Sequence, residues 1–282
     1  MKTGIVLEGG AMRGLYSAGV LDVIMEEGIE AEGLVGVSAG AAFGCNYKSK
    51  QIGRAIRYNT KYCNDPRYGS IKSFLKTGDI FDVEFCYKTL PYELDPMDWD
   101  TFEKNPVEFY AVSTDMETGE AVYFKADKEG EETMKMIQSS ASMPLVSKPV
   151  LLNGREYLDG GISDAIPIKW FQSQGYEKNV VILTRPYGYR KKKSKMALLV
   201  KLMLRKYPKI VHAMNTRHIR YNETLDALEQ MEKEGKVLLF YPPSDVLVKR
   251  TESDPKKLQA IYEAGRKDAL KRLDELKRFV EK

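Results

Sequence analysis

The sequence predicts a layered α/β protein with a largely parallel central sheet, and three observations carry that prediction. Short apolar runs of strand length occur at Gly4-Ile5-Val6-Leu7, at Leu34-Val35 and at Val180-Val181-Ile182-Leu183-Thr184. The first two each enter a glycine-containing turn and then a run with helix-like spacing, the alternation that builds α/β layers. At 282 residues the chain is long enough for one large core, and it carries no repeat or low-complexity linker.

Taken in order, the first strand enters Glu8-Gly9-Gly10-Ala11-Met12-Arg13-Gly14, after which Leu15, Ala18, Val20, Leu21 and Ile24 follow a helical pattern. The second strand runs into Gly36-Val37-Ser38-Ala39-Gly40 and the small residues Ala41 and Ala42. A mixed polar segment covers 51–64, and the aromatic-rich stretch 66–105, punctuated by Pro91 and Pro96, reads as a cap or insertion. Strands are expected over 108–114 and 120–125, joined by Met116-Glu117-Thr118-Gly119, and again over 236–241. From Pro255 onward, Leu258, Ile261, Tyr262, Ala269, Leu273 and Leu276 keep helical spacing to a charged end. The expected organisation is a single domain over 1–282 with a helical C-terminal region from 255.

Gly-x-Ser-x-Gly at a strand-to-helix corner is the pattern of a nucleophile elbow, because the strained backbone and close approach leave no room for Cβ atoms beside the serine. Ser38 then stands at a helix N-terminus, where the N–H of Ala39 is free and the dipole favours a bound anion. The small residues Gly9, Gly10 and Ala11 let successive N–H groups point one way and form an anion nest; beside Ser38 they are the natural oxyanion hole. A dinucleotide reading fits less well, since Ala11 breaks the Gly-x-Gly-x-x-Gly pattern and the second strand carries Ser38 where a ribose-binding acid belongs. A serine needs a base. The two histidines, His212 and His218, share one arginine-rich helical segment, whereas Tyr157-Leu158-Asp159-Gly160-Gly161 sets a carboxylate in a permissive turn after a strand. Asp159 serves there as direct partner of Ser38, or as the orienting acid of a Ser-His-Asp triad through His212 or His218.

With these pieces in chain order, the sequence resembles the patatin-like phospholipase family. Residues 8–14 are similar to its oxyanion loop, 36–40 to its elbow, Asp159-Gly160-Gly161 to its Asp-Gly-Gly/Ala motif, and Ser139-Ser140-Ala141-Ser142-Met143-Pro144 to the segment preceding its aspartate. The motifs span roughly the first 170 residues. The resemblance implies a three-layer α/β/α fold, a lipid or acyl-ester substrate, a Ser38–Asp159 dyad working through an acyl-enzyme, oxyanion donors at Gly9, Gly10 and Ala11, and no cofactor. Ala11 stands where the family usually has a third glycine; alanine is comfortable only at negative φ, so the loop is expected to form with that geometry.

Arg13 is expected either to recognise phosphate or to salt-bridge Glu8, Asp164 either to orient the active-site turn or, the favoured reading, to cap the next element, and Cys45 to fill core. Cys45, Cys63 and Cys86 are an odd set without metal spacing, which points to reduced thiols in a cytoplasmic compartment. His212 and His218 are off the i, i+4 spacing of a helical metal pair. Met1-Lys2-Thr3 lead straight into a strand, so no signal peptide is expected, and no apolar stretch approaches the roughly 20 residues of a membrane span. The net charge is only +4, but 178–222 contains no Asp or Glu. Within it, Arg190-Lys191-Lys192-Lys193-Ser194-Lys195 leads into an apolar run to Lys206, a pattern suited to peripheral contact of 190–206 with an anionic membrane. An ordinary core helix after a solvated basic loop fits the same pattern. The basic cluster is local and matches no nucleic-acid module, so no nucleic-acid partner is expected.

Overall fold

Five parallel strands form the centre of an eight-stranded sheet. In the computed structural model, which describes residues 2–194, 196–246 and 248–281, the strands are β1 (Lys2–Leu7), β2 (Gly33–Val37), β3 (Glu108–Asp115), β4 (Ala121–Lys125), β5 (Val150–Leu152), β6 (Arg155–Asp159), β7 (Tyr176–Ile182) and β8 (Val237–Phe240). Their order is β5-β6-β3-β2-β1-β7-β8, with β4 on β3. The neighbours from β3 to β8 pair in parallel, while β4, β6 and β5 join antiparallel.

The helices are α1 (Leu15–Glu26), α2 (Ala39–Lys48), α3 (Arg54–Tyr62), α4 (Ile71–Thr77), α5 (Trp99–Lys104), α6 (Glu131–Ala141), α7 (Ile168–Ser173), α8 (Ala197–Met203), α9 (Pro208–Lys233), α10 (Pro255–Lys271) and α11 (Leu273–Glu281), with a π-helical stretch at Phe85–Leu94. Alternation along the strands sorts side chains to two faces. Ile5, Leu7, Leu34, Ile182 and Phe240 pack with α1, α2 and α10, whereas Val6, Val35, Val181, Leu183 and Leu239 pack with α7 and α9. Three layers result. The expected 120–125 strand begins one residue later, and the expected strand ahead of Asp159 is β6, hairpin-paired to β5.

The register places the two motifs side by side. β3 pairs with β2 as far as Val112, opposite Val37, and from Ser113, opposite Asp159, it pairs with β6. Because β4 occupies the other edge of β3 along this stretch, β6 continues on the side where β2 ends. Ser38, the residue after Val37, therefore meets Asp159.

The C-terminal third is continuous with the rest. β8 extends the sheet beside β7, α9 covers one face, and α10 crosses α1 along a polar seam. There the Tyr262 hydroxyl donates to Asp22 Oδ2 at 2.6 Å, Tyr16 donates to Asp268 at 2.9 Å, and Arg266 forks onto Glu26 at 2.8 and 2.9 Å.

Candidate active site

β2 passes into α2 at Ser38, whose φ of 57° and ψ of −121° put a non-glycine residue in a strained region. The flanking glycines are sterically required: a Cβ on Gly36 would run into the Gly40 carbonyl, and one on Gly40 would lie 2.6 Å from the Leu7 carbonyl oxygen. The loop after β1 rests directly on this corner, since a Cβ on Gly9 would lie 2.8 Å from Ser38 Cβ and one on Gly14 3.0 Å from Ala39 Cβ. Among the described residues, the N–H groups of Gly9, Gly10, Ala11 and Ala39 have no protein acceptor. The Ser38 N–H does have one, Ser140 Oγ at 2.9 Å.

Asp159 ends β6 and is 5 % exposed. Its Oδ1 accepts the Gly161 N–H at 2.8 Å and its own N–H donates to the Ser142 carbonyl at 2.8 Å. Burial pushes the carboxyl above its ordinary value, opposed first by Arg217 and then by the neighbouring Ser38 hydroxyl. Ser140 and Ser142 thus tether the backbone of the elbow and of Asp159 from one α6 end. Sequence reasoning took that serine-rich stretch only as a family likeness; its work as a brace depends on contacts across the fold.

Several expectations require correction. Ala11 adopts φ of 50°, in the left-handed region, instead of the negative φ expected of alanine. The turn from Gly10 into the 3-10 segment Ala11–Gly14 demands that geometry, which accounts for a glycine there in the family pattern. Ala11→Gly should therefore gain about 0.5–1 kcal/mol, the left-handed penalty less glycine's added chain entropy, as checked by urea unfolding. Arg13 forms no ion pair with Glu8 among the described residues. Glu8 instead accepts the Thr184 N–H and hydroxyl at 2.7 and 3.1 Å and the Tyr221 hydroxyl at 2.7 Å. Asp164 does not cap α7, whose N-cap is Pro167; it accepts the Tyr123 hydroxyl at 2.8 Å. Cys45 is buried in the core as expected.

His212 is exposed and His218 partly so on α9, and neither lines the cavity that holds Ser38 and Asp159; α9 contributes Met214 and Arg217 there instead. Among the described residues no group of three or more His, Cys, Asp or Glu is arranged to hold a metal, and no helix is long and apolar enough to cross a membrane.

Two cavities meet at the serine. One is apolar and is walled by Tyr58, Tyr87, Leu90, Met97, Met134 and Ile137, with Ser38 in its lining. The 66–105 stretch supplies much of that wall. The other holds Gly9, Gly10, Ala11, Ser38 and Asp159 and is bordered by Arg217, Arg250 and the start of α8. Sequence reasoning missed Arg217 and Arg250. The acid-free stretch was a signal for the first, but it pointed to a membrane surface and not to the elbow.

A mostly parallel sheet between helical layers, with the elbow at the end of its second strand, defines a patatin fold. The chain belongs to the patatin-like phospholipase family, whose model matches residues 5–171. Residues 207–281 match a second model, described as a domain of unknown function (DUF6363). The uncharacterized protein YjjU of Escherichia coli is 32 % identical over 194 residues, covering 66 % of this chain and 52 % of its own. Lysophospholipase NTE1 of Scheffersomyces stipitis is 24 % identical over 280 residues, covering 93 % of this chain and 17 % of its own. Among solved structures, VipD from Legionella pneumophila aligns with a TM-score of 0.49 at 13 % identity, over 97 % of this chain and 67 % of that one. The chain thus spans about half the length of the first of these curated relatives and far less of the second.

Proposed function

We propose that this protein is a serine acyl hydrolase of the lipase or phospholipase A type, cleaving lipid carboxyl esters through Ser38 and Asp159. The observation that carries this reading is the juxtaposition of a strained Ser38, a buried Asp159 and unpaired backbone N–H groups at Gly9, Gly10, Ala11 and Ala39. Ser38 Oγ attacks the ester carbonyl carbon as Asp159 takes its proton, and the carbonyl oxygen becomes an oxyanion facing those N–H groups. Collapse breaks the C–O bond, the alcohol leaves with the proton from Asp159, and Ser38 keeps the acyl group. Water then attacks the acyl-enzyme with Asp159 again as base, releasing the acid and restoring Ser38. The apolar cavity suits an acyl chain. The family match and the lysophospholipase relatives support lipid-ester chemistry.

The test is a fluorophosphonate probe followed by mass mapping. Wild type should label at Ser38 and hydrolyse a short-chain ester, Ser38→Ala should do neither, and the double variant His212→Gln/His218→Gln should do both. Failure of the histidine variant would install the Ser-His-Asp triad instead. A folded wild type that neither labels nor turns over ester would make this a lipid-binding protein retaining the fold.

Contact with an anionic membrane surface, for a cytoplasmic protein that docks peripherally, fits α8. Leu198 is 80 % exposed, Leu199, Leu202 and Met203 are exposed beside it, and only Val200 turns inward. Met196 and Val200 border the catalytic cavity, and Lys192, Lys193 and Lys201 flank the apolar face. Each leucine transferred from water is worth about 1.5–3 kcal/mol. Leu198→Asp/Leu202→Asp should therefore weaken co-sedimentation with phosphatidylglycerol vesicles by tenfold or more; unchanged sedimentation would remove α8 from the interface.

A further inference from the structure

Five cations gather on one side of the Ser38–Asp159 pair. Arg217 and Arg250 border the cavity itself, and Arg13, Arg185 and Lys191 stand close enough to act on them and on one another. Arg217 reaches over the Asp-Gly-Gly turn, where a Cβ on Gly161 would lie 2.8 Å from its Nη2. The Arg250 carbonyl accepts the Met12 N–H at 3.4 Å, which ties that segment to the oxyanion loop.

Counter-charge is scarce here. None of the five forms an ion pair among the described residues, and Glu8 spends its oxygens on Thr184 and Tyr221. The Nε atoms of Arg13, which is 5 % exposed, and of Arg217 have no hydrogen-bond partner among the described residues. Burial, and then the neighbouring cations, lower Arg13 to about 10 and Lys191 to about 7, and Arg250 falls for the same reasons. Among the described residues, Asp159 is the one carboxylate lining the cavity. Positive charge concentrated without partners beside a reactive serine is costly to the fold and marks a place where a ligand brings the anion.

We infer that Arg217 and Arg250 form a subsite for the anionic phosphate headgroup of a lysophospholipid, which the protein selects over neutral glycerides and over choline-bearing lipids. Both arginines come from the 207–281 segment, so that segment supplies the headgroup half of the site while the 5–171 region supplies the serine, the oxyanion loop and the acyl cavity. Guanidinium forks match phosphate oxygens in pairs. A choline group would instead face like charge, and a neutral glycerol would leave the cations unpaired. The inference rests on the ester-hydrolase reading, with the acyl chain on one side of Ser38 and the phosphate on the other.

The competing role for the same arginines is to hold Asp159 ionised, and the experiment separates the two. Specific activities of the full chain are measured on a 1-acylglycerol 3-phosphate, the matching acylglycerophosphocholine and the matching monoacylglycerol, all below their aggregation concentrations. Wild type should favour the phosphate monoester in kcat/KM by tenfold or more, and Arg217→Gln or Arg250→Gln should each cut that preference by about tenfold, the scale of one lost charge-assisted hydrogen bond. Equal losses on all three substrates, together with a shifted acid limb of the pH profile, would overturn the subsite and leave the arginines as positioning residues for Asp159. Calorimetry on Ser38→Ala gives a readout without turnover: the acylglycerol phosphate should bind, and adding Arg250→Gln should weaken it. Inorganic phosphate binding as tightly as the lipid would overturn the headgroup assignment. Turnover without headgroup preference sinks the subsite alone, whereas Arg250-dependent binding by a wild type that hydrolyses no ester sinks the hydrolase reading and sustains the subsite.

Discussion

Asp159→Asn should lower ester turnover by about 10⁴-fold or more, the scale of losing a general base that acts as a unit with its nucleophile. The amide keeps an oxygen for the Gly161 N–H but cannot take the Ser38 proton. Stability should move the other way. Burial raises the Asp159 pKa, so the folded state binds this proton more tightly than the unfolded chain does. Its contribution to stability is full below the ordinary carboxylate value and lost as pH rises through the higher folded value. At neutral pH the carboxylate is thus a net burden on the fold, and the neutral isostere should melt at the same temperature or higher while activity collapses. The same shift sets the wild-type pH profile. Only ionised Asp159 accepts the proton, so kcat/KM should fall as pH drops through a value above the ordinary aspartate range. An acid limb that disappears in His212→Gln or His218→Gln would transfer the role of base to a histidine.

Asp95→Ala should cost about 1–3 kcal/mol of folding free energy, because it removes the carboxylate that faces buried Arg54 and holds Arg57, while the backbone carbonyl still accepts from Arg54. Arg54, 3 % exposed, places Nε 3.4 Å from Asp95 Oδ1 and donates to the Asp95 carbonyl through Nε at 3.0 Å and Nη2 at 2.6 Å. Arg57 closes the other side with bonds of 2.8 and 2.7 Å to the same carboxylate. The cluster clamps the 66–105 stretch to α3, and Arg54 also borders the apolar cavity. Its loss should loosen the acyl wall as well as the fold. Urea unfolding checks the magnitude, and Asp95→Asn should fall between wild type and alanine because it keeps an acceptor. A loss under about 1 kcal/mol for the alanine variant would mean that water reaches Arg54 and the clamp contributes little.

What the sequence determined by itself was whatever local sterics decide. Glycines at 36 and 40 around Ser38, the Gly9-Gly10 turn after the first strand, and Asp159 before two glycines are legible because a Cβ at those points collides within a few residues or across one strand-to-helix corner. The continuous apolar runs of β1 and β7 were legible too, since a strand buried on both faces needs apolar side chains toward each layer. The sign of φ at Ala11 was not, because it follows from the path that the loop must take to rest on Ser38. Only the tertiary structure decided the rest. Asp159 reaches Ser38 because β6 takes over the β3 edge where β2 ends, a register that no local pattern encodes. Ser140 and Ser142 act as braces, the two histidines stay outside the cavity, and Arg217 and Arg250 arrive beside an elbow far away in sequence, since helix docking and strand order sum many weak, distant contacts. Local chemistry singles out the candidate groups; long-range packing chooses their neighbours.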